Sequence, residues 1–399
     1  MSVLMVSQAL GGVGVSSGVA VATLLAEHIL GSPGLAGLAQ TTQVLGAALA
    51  ALLLARVTAA RGRRAGLALG YGTGGIGAAL CILAGVLGSF PLLLLGTLGI
   101  GSATAANSQA RFAATDLAEP DHRARALSLV VWTTTVGSVL GPNLASPGAA
   151  LAHRIGTPEL TGPFVYSAVA TGLAALWLAA RLRPDPLLVA RELAHARGES
   201  HHGHVTLRHI IGVVRVRPRA AAAMIAMAVA HAVMVSVMVM TPLHIHHGGG
   251  DLRIIGLVLS AHVLGMYAFS PLVGWLVDRI GHAAVLASGA ALLLTAVALA
   301  GGASAGGSQR LTLGLFLLGV GWSCALVASS ALLVEAVPVA ERPGVQGGAD
   351  SLMGLFAAGG SALAGVMVAQ WGYGALNATA GVLALFVLGA ALVARRQPA

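Results

Sequence analysis

The chain has 399 residues, 57% of them hydrophobic and only 9% charged, with a formal net charge of +9 and a strongly positive mean hydropathy. Such a composition belongs to a polytopic membrane protein, and at about 20 apolar residues per crossing almost nothing is left over for a soluble domain. The positive charge is then a topology signal, so a nucleic-acid partner is excluded, and no phosphate-cradling loop or nucleophile constellation points to an enzyme.

Twelve apolar runs are expected to span the bilayer: 3–30, 34–55, 65–88, 92–115, 125–146 and 162–182, then 220–243, 252–277, 283–302, 311–335, 346–370 and 375–394. Six plus six predicts an all-α membrane protein of two six-helix bundles, residues 1–183 and 220–399. The linker at 184–219 holds Pro184, Pro186 and Pro218. All 22 basic residues are Arg. Traced outward from the first run, they crowd into the inner loops and tail, from Arg56 to Arg396. Arg154, Arg253 and Arg310 fall outside, and Arg111 sits at the inner end of a span. This pattern predicts a multi-pass protein of the cytoplasmic (plasma) membrane with both termini cytoplasmic. The first run starts almost at Met1 without a small-residue cleavage pattern and reads as a retained span. Cys81 and Cys324 lie in different runs without metal or redox spacing and read as packing residues.

The first run carries Gln8, Gly11, Gly12, Gly14, Ser16 and Ser17, and the second opens with Gln40-Thr41-Thr42-Gln43. Small and polar residues of this kind allow close, hydrogen-bonded helix contact, or line a cavity. Met5 is either packing or an extra thioether. After the second run comes Ala55-Arg56-Val57-Thr58-Ala59-Ala60-Arg61-Gly62-Arg63-Arg64, and after the eighth Gly274-Trp275-Leu276-Val277-Asp278-Arg279-Ile280-Gly281-His282. The second of these resembles the signature loop of the major facilitator superfamily, G-x-L-x-D-R-x-G-[RK], and the first keeps only its Gly-Arg-Arg end. The resemblance implies repeated halves and a cytoplasmic latch in which Asp278 and Arg279, framed by Gly274 and Gly281, face helix ends and basic side chains. A carboxylate is favourable at a helix N-terminus and beside Arg. Ala59 removes that carboxylate from the first copy.

The fourth run ends in Asn107, Gln109, Arg111 and Asp116, with Arg111 expected to snorkel to the interface as an anchor. The fifth holds Gly137-x-x-x-Gly141-Pro142. This spacing brings helices close and bends one of them, and it resembles the kinked fifth-helix motif of proton-coupled drug exporters.

The stretch from Met227 to Met266 carries the chemistry. Met227, His231, Met234 and Met238 step by four, three and four, so they share one helix face, and His262 and Met266 repeat the four-residue step on the next span. His262 lies ten residues into its run, about 15 Å deep, near the middle of a core about 30 Å thick, and Met234 lies at nearly the same depth. A methionine stripe alone at helical spacing is more often core packing. Ionisable side chains at that depth face a cavity or a partner, and thioethers with imidazoles suit copper. Met234-x-x-x-Met238 followed by His262-x-x-x-Met266 resembles the motifs of the CcoA-like (CalT family) copper importers of the same superfamily. That resemblance implies copper as the transported substrate and these four residues as its ligands, with Met227 and His231 extending the stripe. Such copper serves oxidase assembly, which makes a copper chaperone or oxidase assembly factor an expected partner beside the lipid bilayer. No resident cofactor is expected, and the superfamily resemblance implies a monomer.

Around this core, His244, His246 and His247 in the turn after Pro242 collect copper at the outer mouth or are solvated turn residues. His195, His201, His202, His204 and His209 of the linker accept it inside or form a polar linker. In the eleventh run Asp350, with Gln346 and Met353, titrates during transport or pairs with an Arg across the bundle. The leading expectation is a copper importer working by alternating access. The alternatives are a proton-coupled exporter of drugs or other small molecules, and a membrane copper receptor that binds without transport.

Overall fold

Every regular element among the described residues is helical. The computed structural model describes residues 1–31, 38–196, 206–249, 252–304 and 309–395, with the backbone alone at 19, 20, 142, 246, 252, 253 and 256. His201, His202, His204, Asp251 and Arg396 lie outside the described residues, as do the side chains of His246 and Arg253.

The apolar runs of the first half form α1 (Ser2–Leu30), α2 (Leu38–Arg61), α3 (Arg63–Leu87), α4 (Phe90–Ala113), α5 (Arg123–Asn143), a short α6 (Ala145–Ile155) and α7 (Gly162–Arg181). The linker holds α8 (Pro186–Ala196) and α9 (Leu207–Arg215). The second half forms α10 (Pro218–His247), α11 (Leu252–Tyr267), α12 (Ser270–Ile280), α13 (His282–Gly301), α14 (Gln309–Ala336) and α15 (Arg342–Ala394). Among the described residues, 11 stretches are long and apolar enough to cross a membrane. The last, α15, has 53 residues, about 80 Å of helix against a core of about 30 Å. It breaks at Gly372, whose φ of 81° and ψ of 173° leave helical space and suit a residue without Cβ. The two pieces bring the crossings to the expected twelve.

Three spans differ from expectation: the second continues past residue 55 to Arg61, so most of the expected loop is helical. The seventh does not stop at Pro242, because α10 continues through it to His247. Pro242 removes one backbone donor, and the helix keeps its course there with the Thr241 hydroxyl bonded to Val237 O (2.7 Å) and 2.8 Å from the Tyr373 hydroxyl. His244, His246 and His247 therefore stand on the last helical turns, not in a loop. The eighth span divides between Tyr267 and Ser270. Pro271 lacks the N–H that would bond the Tyr267 carbonyl, and the Ser270 hydroxyl, 2.8 Å away, bonds it instead.

Two compact units emerge. One comprises Met1–Leu117, Thr133–Ile210 and Val339–Gly354, the other Ala118–Trp132, Ile211–Pro338 and Leu355–Ala399. The division expected around 184–219 is thus crossed twice: the first turns of α5 belong with the later helices, and the first turns of α15 with the earlier ones.

In the first unit α3 and α4 approach through small residues, so that a Cβ on Gly77 would lie 2.5 Å from the Gly96 carbonyl. The α1–α5 contact is equally close at Gly12 and Gly137. There Ser16 donates to Gly137 O (2.7 Å) and the Gln8 amide to the Thr134 hydroxyl (2.9 Å). The Gly137-x-x-x-Gly141 spacing serves this packing, since Gly141 faces Ser16. In the second unit α14 is the most buried crossing, with 72% of its apolar window inside, and α10, α11 and α13 all pack on it.

Candidate functional site

On α10 the predicted stripe splits by burial and by partner. Met227 and Met234 are buried, whereas His231 and Met238 are half-buried. The Met227 sulfur accepts a hydrogen bond from the Ser330 hydroxyl (3.6 Å), and His231 Nδ1 accepts one from the Trp322 indole N–H (2.9 Å). Trp322 in turn meets Tyr267 edge-on, with ring centroids 5.7 Å apart. The lower part of the stripe is therefore tied to α14, and Trp322 is a partner that no spacing rule on α10 could have supplied.

On α11, His262 is fully buried. Its Nδ1 lies 2.8 Å from Leu315 O. A carbonyl only accepts, so the proton sits on Nδ1 and the Nε2 lone pair is left bare. Among the described residues Nε2 has no hydrogen-bond partner. Met266, also buried, follows one turn later. Gly319 on α14 makes this approach possible, because a Cβ there would meet the His262 carbonyl and the Met266 amide nitrogen. An imidazole that donates through one nitrogen to a backbone carbonyl and keeps the other free has the arrangement of a ligating histidine.

The outer histidines differ among themselves. His244 stacks on Tyr373 with centroids 4.2 Å apart and planes 16° apart, so it belongs to the packing of α10 on α15, while His247 is exposed. Among the described residues no three His, Cys, Asp or Glu side chains gather into a metal-holding group. A metal site on α10 and α11 is one that counts thioethers.

The length of α12 and the turn at Gly281 that ends it have the geometry of a latch. Asp278 accepts from the backbone N–H groups of Ala124 and Arg125, both at 3.0 Å, and so caps α5. Gly274 lies flat against Ala124 and Ser128, and Ser270 donates to Ser128 O (3.1 Å). Gly281 turns the chain at φ 87°, ψ 160°, a conformation repeated by Gly62 at φ 87°, ψ 174°. Arg279 does not reach a carboxylate among the described residues. It lies over the Trp275 ring, 5.1 Å from the centroid.

The other copy is wired differently. Arg63, fully buried, pairs with Asp116 (2.8 Å) and donates to the Gln346 side-chain oxygen (2.7 Å) at the start of α15. Asp185 accepts from Arg63 N (3.1 Å) and Arg64 N (2.8 Å), capping α3 from the linker. Arg111 does not snorkel. It is 3% exposed, and its guanidinium meets Asp350 at 2.5 Å, a second buried bond between α4 and α15. His209 of the linker lies 2.7 Å from Glu341. Asp185 was missed by motif reading, although it follows a Pro and precedes a helix start, which is a capping signal; Arg63 was read as part of the Gly-Arg-Arg end, without its partners.

The positions of these groups repeat. The interval from Gly62 to Gly281 also separates Ala55 from Gly274, Ser128 from Gly347, and Asp116 from Glu335. Gly347 faces Ala55 as Gly274 faces Ser128, and Arg63 meets Asp116 as His282 meets Glu335 (3.5 Å).

Comparison with known proteins agrees with this architecture. The family model of the Major Facilitator Superfamily matches residues 4–252 and 249–399. The chain is 38% identical over 387 residues to the MFS-type transporter YdeG of Bacillus subtilis, covering 97% of this chain and 89% of that one. It is 28% identical over 324 residues to the riboflavin transporter RfnT of Brucella anthropi, covering 80% and 77%. Among solved structures, the human organic anion transporter MFSD10 superposes with a TM-score of 0.74 at 17% identity, covering 98% of both chains. With a family model over nearly its whole length, repeated halves and twelve crossings, the chain belongs to the Major Facilitator Superfamily and is a secondary transporter, not an enzyme.

Proposed function

We propose that this transporter imports copper across the cytoplasmic membrane by alternating access, with both termini in the cytoplasm. The observation that carries the reading is His262, a fully buried imidazole whose Nε2 lone pair has no hydrogen-bond partner among the described residues, one helical turn from Met266. Met234, buried on α10, and Met238 complete the candidate donors. Thioethers and a neutral imidazole favour Cu(I) and exchange readily, as a transport site requires. A copper chaperone or oxidase assembly factor would receive the ion. Met227 and His231 already serve Ser330 and Trp322, so they support the site more than they ligate. In this reading Asp278 on α5, and Arg63 and Arg111 on α15, are the bonds that must break when the arginine-rich end opens.

The test is uptake of radioactive copper by cells expressing the protein at matched membrane levels. Wild type should accumulate copper, and His262→Ala and Met234→Ala should fall to the level of empty cells. Uptake unchanged in both variants refutes the site.

A second reading rests on the 28% identity to a riboflavin transporter and on the Tyr267, Trp322 and His231 cluster, an aromatic wall suited to a flat organic solute. Uptake of labelled riboflavin that depends on Trp322 and ignores His262→Ala would favour it over copper.

A further inference from the structure

The internal repeat gives a comparison between the two bundles at a place remote from the candidate site. In the first bundle α1 packs closely on α7, and Trp177 fills their shared edge with its indole N–H bonded to Val3 O (3.2 Å). The interval that relates the copies carries Val3 to Ala222 on α10. There, among the described residues, the edge between α10 and the last part of α15 holds a groove of about 650 Å³. Its floor is small, with Ala221, Ala222, Gly389 and Ala390, and its walls are Ile225 and Phe386. A side chain on Gly389 would meet nothing within 4 Å.

The groove runs from Val393 to Val382 along α15, about 16 Å, which is half of a hydrocarbon core of about 30 Å. It begins at Pro218, the first residue of α10. Arg215 and Arg217 precede that residue, and Arg395 follows α15. Unlike Arg63, Arg111 and Arg219, none of these three forms an ion pair among the described residues. Ile211 and Val216, beside them, are exposed at 57% and 72%, as befits a segment lying at the bilayer surface. An apolar slot one leaflet long, with arginines at its mouth that meet no carboxylate among the described residues, Arg217 giving one N–H to Val213 O (3.1 Å), fits one chemistry. We propose that it seats an acyl chain of an anionic phospholipid, whose phosphate is met by Arg217 with Arg215 and Arg395.

Native mass spectrometry on the purified full-length protein tests this, with phosphatidylglycerol or phosphatidylcholine added after delipidation. Wild type should retain one phosphatidylglycerol at least about tenfold more tightly than phosphatidylcholine, each Arg–phosphate contact contributing on the order of a charge-assisted hydrogen bond. Gly389→Leu, whose Cβ has open space, projects into the slot and should abolish retention of either lipid. Arg217→Gln with Arg395→Gln should keep the chain seat and erase the headgroup preference. Equal retention of both lipids by wild type, or a lipid still held by Gly389→Leu, overturns the proposal, and neither outcome depends on copper.

Discussion

The buried pair between Arg111 and Asp350 makes a quantitative prediction. The two side chains are 4% and 3% exposed and meet at 2.5 Å, so neither charge has water to fall back on. Arg111→Met strands the Asp350 carboxylate, and Asp350→Leu strands the guanidinium. Removing one member of such a pair costs about 3–5 kcal/mol, whereas replacing both by apolar groups is neutral or stabilising. The double variant should therefore be more stable than either single one, with a coupling energy of about 3 kcal/mol or more. Since 1.4 kcal/mol is a factor of ten at 25 °C, that coupling changes the folded-to-unfolded ratio by roughly a hundredfold. The assay is a double-mutant cycle of denaturant unfolding in detergent micelles, followed by tryptophan fluorescence. Costs that add to within about 0.5 kcal/mol would refute the reasoning and leave the pair as two independently solvated groups.

Three further outcomes follow from the same geometry. Asp278→Ala should remove the α5 cap at a cost of about 1 kcal/mol and raise cysteine labelling at the arginine-rich end, with Asp278→Asn milder because one carbonyl oxygen still accepts. Positions 116 and 335 correspond in the repeat but not in burial, their side chains being 0% and 42% exposed. Thermal unfolding should therefore show Asp116→Asn strongly destabilised, and Glu335→Gln within about 1 kcal/mol of wild type. Gly319→Leu should push α11 off α14 and abolish copper uptake with every candidate ligand intact, and uptake at the wild-type rate would show that the His262 backbone need not sit there.

Much of the fold was legible because hydropathy reports crossings directly. The runs 34–55 and 65–88 located α2 and α3, although α2 continues to Arg61 through most of what was expected as loop, and the loops expected after the second and eighth runs contain the turns at Gly62 and Gly281. Local pattern could not show that α10 survives Pro242, since the Thr241 hydroxyl and Tyr373, 132 residues away, lie on the same side of the helix. Nor could it place Arg111, whose partner is 239 residues distant; an arginine at the end of an apolar run looks the same whether it reaches water or a carboxylate. The face shared by Met227, His231, Met234 and Met238 was readable from spacing, but the division of that face was not. Ser330 and Trp322 on α14 decide which of these atoms are engaged.

The repeat also explains why one signature loop is intact and the other eroded. The interval from Gly62 to Gly281 carries Ala59 to Asp278 and Ala124 to Pro343. Asp278 needs donors and finds two, the Ala124 and Arg125 N–H groups. At the corresponding place the carboxylate is gone with Ala59, and one of the two donors is gone too, because Pro343 has no N–H, while Gly344, at the place of Arg125, keeps its own. Losing the acceptor together with one of its donors leaves fewer orphaned groups than losing the acceptor alone. The first copy instead holds α15 through Arg63 to Gln346 and Arg111 to Asp350, side-chain bonds that a cap on α5 does not supply. The two ends of the pseudo-symmetric pair are thus fastened by different chemistry, a helix cap in one unit and buried guanidinium bonds in the other. Ala59→Asp alone should accordingly regain at most one of the two cap bonds, through Gly344, whereas Ala59→Asp with Pro343→Ala offers both and should raise thermal stability further, and an equal gain from the single and the double variant would contradict the matched loss.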